Sequence, residues 1–270
     1  MTATESPDAA PEHAPHPSPA PPRALSFDGA AAQYAAARPG YPAALLDAVE
    51  ELAGLPLHGA RTLDVGAGTG ISTRRLHDRG ARVVAVEPGP GMAAELRRSL
   101  PHVPLVRGDG NSLPFAGTSA DLITYAQSWH WTDRTRSTPE ALRVLRPGGA
   151  LALWWNVSDH TVPWVADQDT RLRHFFRDEA GAEDESAHGA PARTRGLLPE
   201  LAFVHRRIPW TRRIPLATHL ANLGSHSAFL VLGAEPTRRF LAEERERLTP
   251  LFPDGTVEEA YVVDLNVAIR

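Results

Sequence analysis

Three short stretches carry residue types and spacings that could do chemistry. TLDVGAGTGISTRRL (62–76) sets Gly66, Gly68 and Gly70 between an apolar run and an amphipathic one. Glycine allows a sharp turn there and lets backbone N–H groups approach a ligand at a helix N-terminus. The spacing G-x-G-x-G has Ile71 where the dinucleotide fingerprint G-x-G-x-x-G/A needs Gly or Ala, which counts against a nicotinamide cofactor. Glu87 closes the next apolar run, seventeen residues beyond Gly70, and Asp109 follows the third in RGD (107–109). A carboxylate at such a strand end can accept hydrogen bonds from the hydroxyls of a ribose. Finally, LITYAQSWHWTD (122–133) ends an apolar run in Gln127 and a Trp129-His130-Trp131 triplet. Either these aromatic groups pack a core or they wall a site.

Such groups act together only if the chain brings their strand ends to one edge. From Arg61 onward, short apolar runs alternate with amphipathic ones. Strands are predicted at 61–65, 82–87, 103–107, 120–126 and 150–155, and helices at 69–78, 90–99 and 136–145. Near-continuous apolar strands in a β-α-β rhythm predict a parallel sheet covered on both faces. RPGG (146–149) is expected to end a helix and turn into the fifth strand. Beyond Asn156 the rhythm breaks. A helix is expected over 163–180, a flexible acidic segment over 178–192, an edge strand or bends over 206–215, a charged helix over 235–249 and a closing strand over 260–269. Pro209 and Pro215 favour an edge position because proline cannot donate to a central ladder.

Bulk properties narrow the class. A chain of 270 residues suits one large domain or a domain with a cap. Its formal net charge of −4 makes no electrostatic case for nucleic acid or an anionic membrane. The lack of cysteine excludes disulfides, thiolate zinc sites and cysteine nucleophiles. No HExxH or other tight His/Asp/Glu constellation suggests a metal. All 28 basic residues are arginine, which with abundant Ala, Pro and Gly suggests a GC-rich bacterial genome. Residues 1–24 are proline-dense and poor in large apolar side chains, so a disordered tail is expected, without a signal-peptide core. No apolar run is long enough to span a bilayer. A soluble, cytoplasmic protein is therefore expected.

The ordered set LDVGAGTG (63–70), VVAVEPGPGM (83–92), RGDGNSLPF (107–115), AQSWHW (126–131) and LRPGGALALWWN (145–156) resembles class I S-adenosylmethionine-dependent methyltransferases, the methyltransferase type 11 group. SFDGAAAQYAAARPGYP (26–42) is similar to the lead-in helix of the trans-aconitate-methyltransferase-like branch. The resemblance implies a Rossmann-like α/β fold: a seven-stranded mixed sheet with helical cap insertions. Its domain spans 25–270, with a cofactor-binding core at 25–156, cap segments at 157–200 and 211–250, and closing strands at 201–210 and 260–270.

It also implies roles for matching positions. Asp64, Gly66, Ala67, Gly68 and Gly70 would hold the methionine end and ribose of the cofactor. Glu87 would take the ribose hydroxyls, Met92 would pack near the adenine, and Asp109 beside Gly110 would accept from the adenine amino group. Tyr34 and Arg38 would meet the cofactor carboxylate. Gln127 would lie at the methyl, with His130 as proton acceptor and Trp129, Trp131, Asn156 and His226 lining the acceptor pocket; His160 is a further candidate there. The sequence departs from the group at Gly89, where an acid is frequent, and at Gly110-Asn111, where Ala-Glu is commoner. No Asp/Asn-Pro-Pro-Tyr/Phe follows the fourth strand, which weighs against methylation of nucleic-acid bases. The expected activity is methylation of a small molecule, at oxygen first, in bacterial specialised metabolism. The alternatives are a non-methylating S-adenosylmethionine-binding protein, such as a cyclase or regulatory partner, and a nicotinamide oxidoreductase.

Overall fold

A computed structural model describes residue 35 and residues 37–180 and 201–270. Tyr34, the tail at 1–24 with His13 and His16, and the 181–200 part of the expected cap with His188 lie outside the described residues. Seven strands form one sheet in the order β3-β2-β1-β4-β5-β7-β6. They are β1 (Arg61–Val65), β2 (Arg82–Val86), β3 (Leu105–Val106), β4 (Ala120–Ala126), β5 (Leu145–Ser158), β6 (Val204–Pro215) and β7 (Thr256–Ile269). The first five are parallel. β7 runs antiparallel between β5 and β6.

Three helices fill the crossovers: α2 (Ile71–Asp78), α3 (Pro90–Ser99) and α4 (Arg134–Val144). α1 (Ala43–Ala53) precedes the sheet and packs against its β5–β7 side. Strand order reverses between β1 and β4, and ligands of such sheets bind at that switch, beyond the strands' carboxyl ends. Alternation along β5 builds both faces at once. Trp154 joins the α1-side core with Leu45, Val49 and Leu122, while neighbouring Trp155 joins the opposite core with Val65, Ile123 and Tyr125.

The cap comprises α5 (Pro163–Ala180), α6 (Leu216–Gly224), α7 (Ser227–Leu232) and α8 (Ala234–Leu248). It has its own apolar cluster, including Leu172, Phe176, Leu223, Phe229, Phe240 and Leu248. β6 is an edge strand, one of the two alternatives its prolines allow.

Three boundaries differ from expectation. RPGG does not form a turn between helix and strand. α4 ends at Val144, and residues 146–149 form an irregular start of β5, where the pairing jumps from Ala120↔Leu145 to Leu122↔Ala150. Gly148 takes φ 73° there, a conformation open to glycine, and Arg146 reaches Asp121 across the irregularity at 2.6 Å. Residues 211–215, claimed by both the expected edge strand and the expected cap, belong to β6, and β7 begins at Thr256 rather than 260, because the two strands pair over twelve positions. β3 shrinks to two residues, pairing only with the end of β2. Among the described residues no helix is long and apolar enough to cross a membrane.

Candidate active site

A cleft of about 1070 Å³, its open mouth included, lies at the switch between β1 and β4. Its first wall is the loop from β1 to α2. The amides of Gly66 and Ala67 both donate to Val86 O, at 2.8 and 3.0 Å, fixing the loop to the end of β2. Gly66 and Gly68 line the cleft at φ 68° and 59°. A Cβ on Gly66 would lie 2.4 Å from Ser128 Cβ, so the close approach of β4 requires glycine there. Gly70, expected in the ligand set, is placed differently from Gly66 and Gly68. It does not line the cleft, and a Cβ there would meet Leu96 and Leu100 at 3.0 Å; it serves the packing of α2 on α3.

Glu87 is 7% exposed and lines the cleft. Its Oε2 accepts from Gly68 N and its Oε1 from Gly89 N, both at 2.8 Å. One carboxylate thus holds two loops at the cleft wall. Gly89, where an acid is frequent in the resembling group, supplies an amide that Glu87 uses. On the adjacent wall, Met92, Asp109, Gly110 and Asn111 line the cleft, and Asp109 Oδ1 accepts from Asn111 N at 2.7 Å. A Cβ on Gly110 would sit 3.0 Å from both Tyr125 and Thr132, so alanine would crowd this position.

Asp64, also expected at the cofactor, stands one layer further back. It is fully buried beneath the loop and does not line the cleft. Thr73 of α2 donates to its Oδ2 at 2.7 Å and Thr124 of β4 to its Oδ1 at 2.8 Å. Burial pushes its carboxyl up to about 6, and the threonine hydroxyls act in the opposite direction. Asp64 therefore ties β1, α2 and β4 together behind the glycines.

The end of β4 answers whether the Trp-His-Trp triplet is core or wall: it is both. Gln127 lines the cleft at φ 56°, an unusual conformation for a residue with a side chain, and its Nε2 faces Tyr41 Oη at 3.4 Å. Residues 129–131 form a single 3₁₀ turn, which sends successive side chains in different directions. Trp131 lines the cleft. Trp129 is 1% exposed and packs edge-on against Tyr125, with ring centroids 4.6 Å apart, so it belongs to the core. His130 does not line the cleft either, and its Nδ1 accepts from Trp155 Nε1 at 3.2 Å. In the neutral ring the other nitrogen then carries the hydrogen, leaving no lone pair for an acceptor's proton in this arrangement.

Among the remaining expected residues, Arg38 lines the cleft. Asn156 does not; it donates to Gly40 O and accepts from Trp210 Nε1, each at 3.0 Å. His226 lies at the start of α7, outside the cleft wall. His160 is exposed and 3.6 Å from Asp169. Sequence reasoning missed Tyr41, Thr69, Ser72, Ser128 and Thr132 as lining residues. Tyr41 had a usable signal in RPGYP (38–42), which adjoins Arg38. The hydroxyl residues had none beyond their neighbours. Among the described residues no group of three or more His, Asp or Glu could hold a metal ion.

The chemistry of the wall fits a nucleoside bearing an amino-acid tail: an arginine for a carboxylate, Glu87 and Asp109 for hydroxyl and amine donors, and Met92 for an apolar ring. Comparison with known proteins agrees. Residues 63–153 match the methyltransferase domain family. An uncharacterized methyltransferase of Mycobacterium bovis is 36% identical over 226 residues, covering 83% of this chain and 86% of that protein. A demethylmenaquinone methyltransferase of Beutenbergia cavernae is 39% identical over 108 residues, 40% of this chain and 44% of that one. A solved Anaeromyxobacter dehalogenans structure assigned as a type II methyltransferase superposes with a TM-score of 0.68 at 25% identity, over 86% of this chain and 97% of that chain. The chain belongs to the S-adenosylmethionine-dependent methyltransferases, and S-adenosylmethionine is its cofactor.

Proposed function

We propose that this methyltransferase acts on a small organic molecule, with oxygen as the acceptor atom. One observation carries the reading: cofactor-type groups (Arg38, Glu87, Asp109) and the side chains ending β4 (Gln127, Trp131) line one continuous cleft. S-adenosylmethionine supplies a methyl group on a positively charged sulfur, which leaves as a neutral thioether. The chain's part is to hold donor and acceptor in line and to exclude water; orientation can lower such a barrier by roughly 7–11 kcal/mol. In this reading Glu87 takes the ribose hydroxyls, Asp109 the adenine amine and Arg38 the carboxylate, while Gln127 and Trp131 face the transferring methyl. An indole face beside a cationic centre is favourable.

The position of His130 refines the acceptor. Glu87 and Asp109 are the carboxylates lining the cleft among the described residues, and no described histidine joins them. Within the oxygen-acceptor reading, this favours a group that ionises without a side-chain base, such as a carboxylate or an acidic phenol or enol. The name of the Beutenbergia relative, a demethylmenaquinone methyltransferase, supports an organic acceptor. The arginine-only basic composition and bacterial relatives support a bacterial metabolic setting. Incubation with S-adenosylmethionine and a panel of acidic hydroxy compounds, followed by mass spectrometry, should give a product heavier by one methyl together with demethylated cofactor. Tight donor binding without demethylated cofactor across the panel would favour a non-methylating binding protein instead.

A further inference from the structure

Three cleft-lining residues, Arg38, Pro39 and Tyr41, arrive on a short strap that precedes α1. Ala37 is helical and residues 38–42 are irregular backbone, so carbonyls at this helix end and beyond it need partners from outside. Arg212 of β6 supplies two: its Nη1 donates to Arg38 O at 3.1 Å and its Nη2 to Ala37 O at 2.9 Å. Asn156 of β5 supplies a third, to Gly40 O at 3.0 Å. Pro39 has no amide of its own to compete. Side chains from β5 and β6 therefore hold the strap's backbone on both sides of Pro39.

The remaining edge of Arg212 is also engaged. Its Nε donates to Glu259 Oε2 at 2.5 Å, and Glu259 sits directly opposite it in the β6–β7 ladder. The second carboxylate oxygen, Oε1, lies 2.6 Å from His219 Nδ1 of α6. Glu259 and His219 are both almost fully buried. A planar guanidinium can serve a carboxylate and two carbonyls in fixed directions at once, which a lysine ammonium cannot. As a staple between strands the pair would be superfluous, because β6 and β7 already pair over twelve positions. A buried ion pair also adds little net stability over an apolar one. Its distinctive effect is on the strap.

We infer that Arg212, aimed by Glu259, is a positioning residue for the methyl donor: it fixes the 37–40 strap and thereby sets where Arg38 meets the donor's carboxylate. This rests on the proposed role of Arg38. The link reaches the cap too, since Arg38 Nη2 donates to Ser225 O at 3.4 Å, just beyond α6.

Calorimetry with two ligands tests it: S-adenosylmethionine, and 5′-methylthioadenosine, which keeps the nucleoside and sulfur but lacks the amino-acid tail. Arg38→Met should weaken S-adenosylmethionine about tenfold or more, the scale of a charged hydrogen bond, and leave methylthioadenosine within about twofold. Arg212→Met should show the same split although it never touches the ligand, and Arg38→Met/Arg212→Met should lose little beyond either single variant. Arg212→Lys should fall between. Because Arg212→Met strands a buried carboxylate, Arg212→Met/Glu259→Gln repeats the measurement if the single variant does not fold. Unchanged affinity for S-adenosylmethionine, equal loss of both ligands, or additivity with Arg38→Met overturns the inference. If Arg38→Met itself leaves S-adenosylmethionine unaffected, the carboxylate assignment fails and the inference with it. If Arg38→Met shows the split and Arg212→Met does not, only the inference fails.

Discussion

The two halves of the sheet handle their carboxylates differently. In the parallel half, Glu87 and Asp109 stand at strand ends and accept from backbone amides close at hand: Gly89 and Asn111 are each two residues on. In the antiparallel half and its cap, Glu244 and Glu259 are buried and satisfied by distant side chains. Arg171 reaches Glu244 from 73 residues away, and Arg212 and His219 reach Glu259 from 47 and 40. The carboxylates at the strand ends line a cleft, whereas those in the cap face other side chains. The difference separates a half that presents its acids directly to a ligand from a half whose buried acids act through other side chains, Glu244 within the cap and Glu259 on Arg212.

The largest effect that sharpens this contrast is expected at Gly66. Gly66→Ala places a Cβ against Ser128 at φ 68°, where overpacking costs roughly 1–3 kcal/mol and the backbone roughly 1–2 more. Calorimetry should show cofactor affinity down by about 100-fold or more. A folded variant that binds normally would break the assignment of the loop. Glu87→Ala comes next: it removes a charged acceptor and frees two loops, so affinity should fall about 10- to 100-fold. Unaltered binding would take Glu87 out of the site.

In the other half, Arg171→Met leaves Glu244 buried with Gln168 as its remaining donor. Urea unfolding should show a loss of about 1–3 kcal/mol, with methylthioadenosine affinity unchanged. A drop in nucleoside affinity as large as that of Glu87→Ala would abolish the contrast between the halves.

Asp64 tests the boundary between them, being buried like the cap acids yet part of the glycine motif. Its folded-state value of about 6 lies above the unfolded value of about 3.9, so the folded protein holds the proton more tightly. Its contribution to stability is full below about pH 4 and is lost as pH rises through about 6. Denaturant midpoints of wild type minus Asp64→Asn should therefore decline across that window, by a free energy on the order of 1–3 kcal/mol. A flat difference would mean that Asp64 is not perturbed by burial. The smallest effect is expected at His130. His130→Phe should lower turnover by less than about tenfold, whereas a proton acceptor would cost roughly 10²–10⁴-fold. A loss in that upper range would restore His130 as the base.

Legibility follows the same division. The parallel strands, the glycine turn, Glu87 and Asp109 were readable because period, turn chemistry and acid all sit within a few residues of each other. Gly70, Asp64 and Trp129, expected at the ligand, stand off the cleft wall for a shared reason. Each stands in the motif's line of sequence, but side-chain direction decides whether a residue meets ligand or core. In the 3₁₀ turn at 129–131, one step along the chain turns Trp131 to the cleft and Trp129 away from it.

By itself the sequence determined the parallel core, its carboxyl-edge loops and the family, since local backbone preferences and apolar periodicity are properties of short segments. Tertiary structure alone decided that His130 faces Trp155, that Asp64 lies beneath the loop, and that Arg212 reaches the strap carrying Arg38. Those contacts join positions 25 residues apart in the first case and 174 in the last. They depend on where the packed sheet brings separate segments together, and no local pattern encodes the direction in which a side chain will then find its partner.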